Sequence, residues 1–200
     1  MAGKVNKSIL KEEISKVQSK SLEKEARLIA DKILEEKKQE YLFEIKEHPI
    51  SKEISDGVNA SNISNTLNGE GNLYTFIGFD DGDKPIEDLI DVIEKNTRIK
   101  QISSKDGAFN FQVYSPSLDE LTSYTPMPFE GGNSWVKGIE KGISGFSNYL
   151  YGLLFSNSRS GGGIQSKNKV RRASYRPTKY FSILYKSFIE SFRWKSNLII

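Results

Sequence analysis

The stretch Arg98–Pro116, RIKQISSKDGAFNFQVYSP, predicts the element around which the other segments are arranged. RIKQIS and AFNFQVYSP both alternate in the manner of strands. The pair Asp106–Gly107 between them is a strong signal for a two-residue hairpin turn. We therefore expect an antiparallel hairpin in which Phe109, Phe111 and Val113 face one side.

Residues 8–47, which precede the hairpin, carry a helical pattern. A break in the apolar spacing near Ser19 to Ser21 leaves open whether they form one long helix or two consecutive helices. Pro49 should end this segment, because the residue before a proline is driven out of the α region. The apolar positions recur at three and four residues: Leu10, Ile14, Val17, Leu22, Ala26, Ile29 and Ile33.

Prolines mark the start of two further predicted helices. Pro85 would lie in the first turn of a helix that Asp83 caps. Pro177 would start a C-terminal helix. The apolar face of the first is predicted at Ile86, Leu89, Ile90 and Ile93, and that of the second at Tyr180, Ile183, Leu184, Phe188 and Phe192.

Three more segments are predicted as strands. NLYTFIGF, residues 72–79, has a strand composition. In NSWVKGIEKGISGFSNYLYGLLF, residues 133–155, a helical spacing also fits, but glycines at 138, 142 and 145 would weaken a helix, so we favour strands. GIQSKNKV, residues 163–170, adds another strand. Residues 55–72 are polar and bear glycine, which predicts a long loop that is mobile in the isolated subunit.

These elements predict an α+β fold, in which a long N-terminal helix and a C-terminal helix pack on a small, mainly antiparallel sheet. We divide the chain into an N-terminal helical arm, residues 1–48, and an α+β domain with the C-terminal helix, residues 49–200. The sequence shows no internal repeat.

The composition of the 200 residues limits the class of protein. No run of about 18 apolar residues is present, so no membrane contact through a span is expected. The start, MAGKVNKSILKEE, lacks the apolar stretch of a secretory signal. The absence of cysteine excludes disulfides, thiol catalysis and thiolate metal sites.

The residues that could carry catalysis or bind a ligand all have structural explanations. His48, the one histidine, is expected to lie near a helix end without a catalytic role. Asp80, Asp81, Asp83 and Glu87 offer oxygen ligands, but turn and cap chemistry explains them as well. SRSGGGIQSK, residues 158–167, is no phosphate-binding P-loop, because its lysine does not directly follow the last glycine. We expect no enzyme, no cofactor and no metal.

Positive charge is concentrated in the last third of the chain. Ser158–Lys195 contains ten basic residues and one acidic residue, a net charge of +9, so the remainder carries −6 of the total of +3. If Lys167, Lys169 and Arg171 lie on a strand, they share one face. Such a face could contact phosphates, meet an acidic protein surface, or be a solvated edge. The predicted interaction residues, toward a partner or a DNA channel, are Arg159, Lys167, Lys169, Arg171 and Arg172.

Several segments together resemble a class of viral proteins: NLYTFIGFDDG (72–82), TPMPFEGGNSWVKGIEKGISGFSNYLYG (125–152), SRSGGGIQSK (158–167) and RPTKYFSILYKSF (176–188). The chain resembles small virion proteins of tailed bacteriophages that complete the tail or form the neck between head and tail. The resemblance implies a long N-terminal helix on a small antiparallel sheet, assembly as a ring around the DNA exit channel, and no catalytic residues.

Two functions are therefore expected as alternatives. The first is a structural neck or tail-completion subunit, located in the virion after assembly in the host cytoplasm. Its partners would be further copies of itself in a ring, neighbouring head, neck or tail proteins, and DNA in the channel. The alternative is a nucleic-acid-binding protein that uses the basic C-terminal third, where Tyr175, Tyr180 and Trp194 are interleaved with basic residues.

Overall fold

A single helix, α1 (Lys7–Glu47), dominates the computed structural model, which describes residues 7–67, 71–105, 108–128, 130–141 and 176–192. The 41 residues of α1 are continuous through Ser19–Ser21, so this segment is one long helix and not two consecutive helices. It ends one residue before His48, and Pro49 then begins the short helix α2 (Pro49–Ser55). The predicted stop at Pro49 is confirmed.

A pair of helices follows the polar loop. The helix α3 (Leu73–Ile77) is short, whereas α4 (Pro85–Asn96) buries one full face. Pro85 lies in the first turn as predicted, and Ile86, Leu89, Ile90 and Ile93 are buried. The predicted cap is wrong: Lys84 holds the N-cap position, and Asp83 instead accepts a hydrogen bond from the backbone N–H of Asp80 at 3.0 Å.

The predicted hairpin is confirmed. Strand β1 (Arg98–Lys105) pairs antiparallel with β2 (Ala108–Tyr114), from Arg98 opposite Tyr114 to Lys105 opposite Ala108. The register shifts between Gln101 and Ser103, which marks a bulge. Phe109, Phe111 and Val113 are half-buried and alternate with exposed neighbours, so they share one face.

The remaining described elements are short and complete the fold. A second antiparallel pair joins β3 (Pro126–Met127) to β4 (Glu130–Ser134), and 3₁₀ turns cover Gly57–Asn59 and Glu120–Ser123. Helix α5 (Trp135–Lys141) follows β4 directly, and α6 (Phe181–Ser191) is the C-terminal helix. Two small antiparallel sheets among these helices make the fold α+β, as expected.

The centre of the core lies where the second half of α1 meets α6. Tyr41 stacks on Phe188, with 4.5 Å between ring centroids, and Ile45 is fully buried. The hydroxyls of Tyr180 and Ser51 share a hydrogen bond of 2.5 Å that ties α6 to α2. Because residues 34–45 of α1 lie in the same core as α2, packing continues across residue 48, and the division into an arm and a domain stays a prediction.

Two predicted strands are helices instead. In residues 72–79, the Asn72 side chain accepts from the Thr75 backbone N–H at 2.9 Å, and Gly78 ends the helix with a left-handed φ of 94°. These caps, with burial on several sides, outweigh the strand composition. In Trp135–Lys141, the Ser134 hydroxyl accepts from the Lys137 N–H at 3.2 Å, and the buried Gly138 is tolerated within a packed helix.

The C-terminal helix also differs in its start and its face. It begins at Phe181, four residues after Pro177, and Tyr180 is its N-cap. The predicted start and part of the predicted face are therefore wrong, because Ile183 is exposed while Phe181 is buried. The side chain of Glu140 sets this start, since it accepts from the backbone N–H groups of Tyr180 and Ser182 at 3.2 and 2.5 Å. The rest of the segment predicted as strands at 133–155, residues 142–155, and the predicted strand at 163–170 lie outside the described residues.

Candidate assembly surfaces

The five predicted interaction residues are Arg159, Lys167, Lys169, Arg171 and Arg172. All five lie outside the described residues, so their role stays a prediction. The described chain resumes at Arg176, whose backbone N–H donates to the Thr66 carbonyl at 3.2 Å. The N–H of Thr178 donates to the Ile139 carbonyl at 3.1 Å. The start of the last described segment is thus fixed against both the polar loop and α5.

Residues 22–29 of α1 include large apolar side chains that are exposed. Leu22 is 55% exposed, Leu28 69% and Ile29 61%, whereas Leu34, less than two turns further along, is buried. Charged neighbours on this helix are paired with each other, such as Arg27 with Asp31 at 3.1 Å. Single exposed apolar side chains are common on protein surfaces, but three within two turns of one helix make residues 22–29 a candidate interaction site.

Arg27 marks the point where α1 meets the hairpin. Its guanidinium donates to the Ile99 carbonyl of β1 at 3.4 Å, while its Nε also donates to Asp31. Ile99 and Val113, which are opposite each other in the hairpin, pack against the core. The hairpin therefore contacts α1 from one side near residue 27. Leu22 precedes this contact along the helix, and the side chains of Leu28 and Ile29 lie away from it.

A buried carboxylate holds the described residues, 56–67 and 71–72, of the polar loop, residues 56–72. Glu53 of α2 has no exposed surface. Its Oε1 accepts from the Asn62 side-chain amide at 2.8 Å and from the Leu73 N–H at 2.7 Å. Its Oε2 accepts from the Ser64 N–H at 2.9 Å. Three charge-assisted hydrogen bonds from one side chain reach the middle of the loop and the residue that follows it, so the described part of the loop is held against α2.

The amide of Asn72 provides a second anchor for the same loop. Its side-chain nitrogen donates to the carbonyls of Val58 and Ala60, both at 3.0 Å, while its oxygen caps α3. Leu67 and Thr66 are buried at the end of the described loop. Val58 and Ile63, in contrast, are exposed. The loop is therefore a hydrogen-bonded segment that presents two apolar side chains outward.

An open cleft of about 660 Å³ lies between the hairpin and the Glu120–Ser123 turn. Tyr114 and Tyr124 line it, together with prolines 116 and 126. Glu120 accepts from the Tyr114 hydroxyl at 2.7 Å and from both the N–H and the hydroxyl of Ser117 at 2.8 Å. These hydrogen bonds, led by that from the Ser117 N–H, lower the pKa of Glu120. The carboxylate is therefore held in place by the turn.

His48 and the aspartates of residues 80–83 have structural roles in the geometry. The Nδ1 of His48 accepts from the Ile50 N–H at 3.2 Å and so caps α2, and burial lowers the pKa of its imidazole. The Tyr74 hydroxyl donates to the backbone carbonyls of Asp80 and Asp83. Within the described ranges, no three histidine, cysteine, aspartate or glutamate side chains are grouped so that they could hold a metal ion.

Glu53 is the important residue that the sequence interpretation missed. A signal was present, because Glu53 falls three residues after Ile50 and next to Ile54 on the apolar face of α2. A carboxylate on such a face requires compensating donors when it is buried. The donors come from 62, 64 and 73, and their approach to residue 53 depends on the fold of the loop.

None of the helices in the part of the chain that the structure describes is long and apolar enough to cross a membrane. A comparison of the chain with known protein families, with curated proteins and with solved structures finds no match.

Proposed function

We propose that this chain is a structural protein that works by assembly with further protein subunits. The observation that carries the proposal is the exposure of three large apolar side chains within two turns of α1, those of Leu22, Leu28 and Ile29. The same helix buries Tyr41 and Ile45, so the subunit's own core does cover the apolar side chains of α1 that it reaches. Leu22, Leu28 and Ile29 are exposed within two turns of this helix, and Phe43 further along it is exposed as well, so α1 favours contact with a second protein surface.

Within this class we propose a neck or tail-completion subunit of a tailed bacteriophage, which forms a homo-oligomeric ring between head and tail. The support is the resemblance of residues 72–82, 125–152, 158–167 and 176–188 to such virion proteins, together with the long helix and the small antiparallel sheets. Neighbouring head, neck or tail proteins would be the further partners, and the virion would be the location.

The basic segment would supply a second contact in this assembly. Ser158–Lys195 carries +9 while the remainder of the chain carries −6, so the charge of one subunit complements that of the next. In a ring, one surface of each subunit meets a different surface of its neighbour. Arg159, Lys167, Lys169, Arg171 and Arg172 would then face an acidic surface or the DNA in the channel.

The same charge supports the alternative, a nucleic-acid-binding protein. A titration of the purified chain with double-stranded DNA at several salt concentrations separates the two proposals. Phosphate contacts made by several basic side chains give a steep loss of affinity with salt. Strong, salt-dependent binding by a chain that stays monomeric would favour the alternative.

The test of the assembly proposal is the mass of the full-length chain in solution and its presence in particles. We expect multi-angle light scattering to show an oligomer at high protein concentration. We also expect purified phage particles that encode the chain to contain it in a fixed copy number. A chain that is monomeric at every concentration and absent from particles would contradict the proposal.

A further inference from the structure

Two neighbouring clefts meet at Tyr124 and Pro126, which line both of them. The first is the open cleft of about 660 Å³ between the hairpin and the Glu120–Ser123 turn, and the second has a volume of about 210 Å³. Phe79 and Trp135 line the second cleft, and their rings meet edge to face with 5.8 Å between centroids. The two clefts form one groove, whose apolar lining consists of aromatic rings and prolines.

The chain between the two clefts is fixed to the body of the subunit. Thr125 is buried, and its hydroxyl donates to the Leu121 carbonyl at 2.8 Å and shares a hydrogen bond of 2.7 Å with the Ser134 hydroxyl. The Thr125 carbonyl accepts from the Trp135 N–H at 2.9 Å. Because these hydrogen bonds lie within the subunit, the groove is formed before any partner binds, which lowers the entropic cost of binding.

The charged side chains that line the groove are all acidic. Lys137 pairs with one of them, Asp119, at 2.8 Å, but no basic side chain is among the described residues that line either cleft. Carboxylates and exposed tyrosine rings both favour cationic side chains, the first through salt bridges and the second through cation–π contacts. Two carboxylates lie in each cleft: Asp119 and Glu120 in the first, Asp83 and Asp88 in the second.

Tyr114, which lines the first cleft, already combines both kinds of contact. The guanidinium of Arg98 lies over its ring, 5.0 Å from the centroid, and its hydroxyl donates to Glu120 at 2.7 Å. Tyr124, the second tyrosine of the same cleft, is 51% exposed against 37% for Tyr114. Tyr124 and Asp119 therefore offer an incoming arginine or lysine the same combination of a ring and a carboxylate that Arg98 finds within the subunit.

We infer that this groove binds the basic segment, residues 158–175, of a neighbouring copy of the same chain. The segment contains five basic residues and no acidic residue, so its charge complements that of the groove. In the proposed ring, on which this inference rests, each subunit offers a different surface to each of its two neighbours. The groove would be one of these surfaces and the basic segment the other.

Charge reversal on both sides of the contact tests this pairing in the full-length chain. The groove variant, Asp88→Lys/Asp119→Lys, changes one exposed carboxylate in each cleft, and the segment variant is Lys169→Glu/Arg171→Glu. In each variant, like charges would meet across the contact. We therefore expect the concentration at which half of the chain is assembled, measured by light scattering, to rise at least about tenfold.

An equimolar mixture of the two variants should assemble again, because every contact between unlike copies then joins opposite charges. The matched control is Glu87→Lys/Glu94→Lys, which makes the same change in net charge on α4 outside the groove and should assemble like the natural chain. Circular dichroism of each variant checks that it is folded. If the groove variant is unfolded, the neutral variant Asp88→Asn/Asp119→Asn takes its place and should assemble more weakly than the natural chain.

Three outcomes would overturn the inference while the proposed assembly stands. In the first, the groove variant assembles like the natural chain. In the second, a chain that carries both reversals recovers but the mixture does not, which would place the contact within one chain. In the third, the segment variant loses binding to double-stranded DNA and keeps its assembly, which would place the segment on nucleic acid. A natural chain that is monomeric at every concentration would contradict the proposed assembly itself.

Discussion

Residues 22–29 of α1 and the polar loop, residues 56–72, each contact the body of the subunit in a way that their compositions do not suggest. The helix segment is rich in leucine and isoleucine, yet Leu22, Leu28 and Ile29 are exposed. The loop is rich in serine, asparagine and glycine, yet Glu53 and Asn72 hold it by a set of directed hydrogen bonds. Apolar content therefore does not decide which segment is fixed to the body, because a single buried carboxylate can fix a polar one.

This difference also bears on the expected mobility of the loop. Ordering a polar segment costs about 1–2 kcal/mol per residue, and the loop buries few apolar side chains that would offset this. The hydrogen bonds to Glu53 are charge-assisted, and one is buried and two are part-buried, which makes them stronger than ordinary ones. The composition predicts a loop that is mobile in the isolated subunit, whereas these hydrogen bonds favour a loop that is held there while the carboxylate is present.

Removing the carboxylate should have the largest effect on stability. The Glu53→Ala substitution leaves three donors, on residues 62, 64 and 73, without their acceptor. The hydrogen bond from the Leu73 N–H is buried, whereas those from the Asn62 amide, which also donates to the Ser64 hydroxyl, and from the Ser64 N–H are part-buried. An unsatisfied buried donor costs about 1–3 kcal/mol, so we expect a loss of about 1–3 kcal/mol in the free energy of unfolding. Urea unfolding followed by circular dichroism measures this loss.

Limited proteolysis of the same variant shows whether the loss is local. Cleavage between residues 57 and 67 should be faster in Glu53→Ala than in the natural chain. The control is Glu36→Gln, an exposed carboxylate on α1 that pairs with Lys32 at 3.9 Å, for which we expect almost no change. Equal stability of the Glu53→Ala variant and this control would mean that the carboxylate does not hold the loop.

A smaller, pH-dependent effect is expected at His48, which caps the helix that carries Glu53. Burial lowers the pKa of the imidazole from its ordinary value near 6.5. The folded state therefore prefers the neutral form, whose Nδ1 accepts from the Ile50 N–H. This contribution to stability is fully present above about pH 6.5 and is lost as the pH falls through the lowered pKa.

The size of this effect should be that of a helix cap, about 0.5–2 kcal/mol. In the His48→Asn variant, an amide oxygen can cap the helix without titrating. The stability difference between the natural chain and the variant should therefore shift in favour of the variant between pH 7.5 and pH 5, as measured by urea unfolding at each pH. A constant difference across that range would show that the His48 cap does not titrate with folding.

Periodicity in the sequence predicts the elements that depend on their own residues. The helices α1 and α4 and the hairpin are found this way, since their apolar spacing and their Asp-Gly turn signal are local. The helices α3 and α5 are missed because their strand-like composition is outweighed by caps at Asn72 and Ser134 and by burial against distant segments.

The candidate surfaces could be predicted only in part, for the same reason. The apolar stripe of α1 is visible in the sequence, but which half of it the core covers depends on where α6 and the hairpin attach. Glu53 could have been noticed on its apolar face, but its three donors are brought to it only by the folded loop. The basic residues from Arg159 to Arg172 were found from charge alone, and their contacts remain a prediction.

The smallest effect on stability is expected for substitutions of the exposed apolar side chains of α1. This prediction is also the sharpest test of the comparison. The triple variant Leu22→Gln/Leu28→Gln/Ile29→Gln changes side chains that contribute little to the core, so each substitution should alter the free energy of unfolding by less than about 0.5 kcal/mol. The same variant should fail to form the oligomer that light scattering detects in the natural chain, because its apolar contact area is lost.

Leu34→Ala is the matched core control. Loss of this buried leucine side chain should lower the free energy of unfolding by about 2–5 kcal/mol. A triple variant that loses as much stability as Leu34→Ala would show that another part of the same chain covers these three side chains. A triple variant that is stable and still assembles would show that the subunits meet elsewhere.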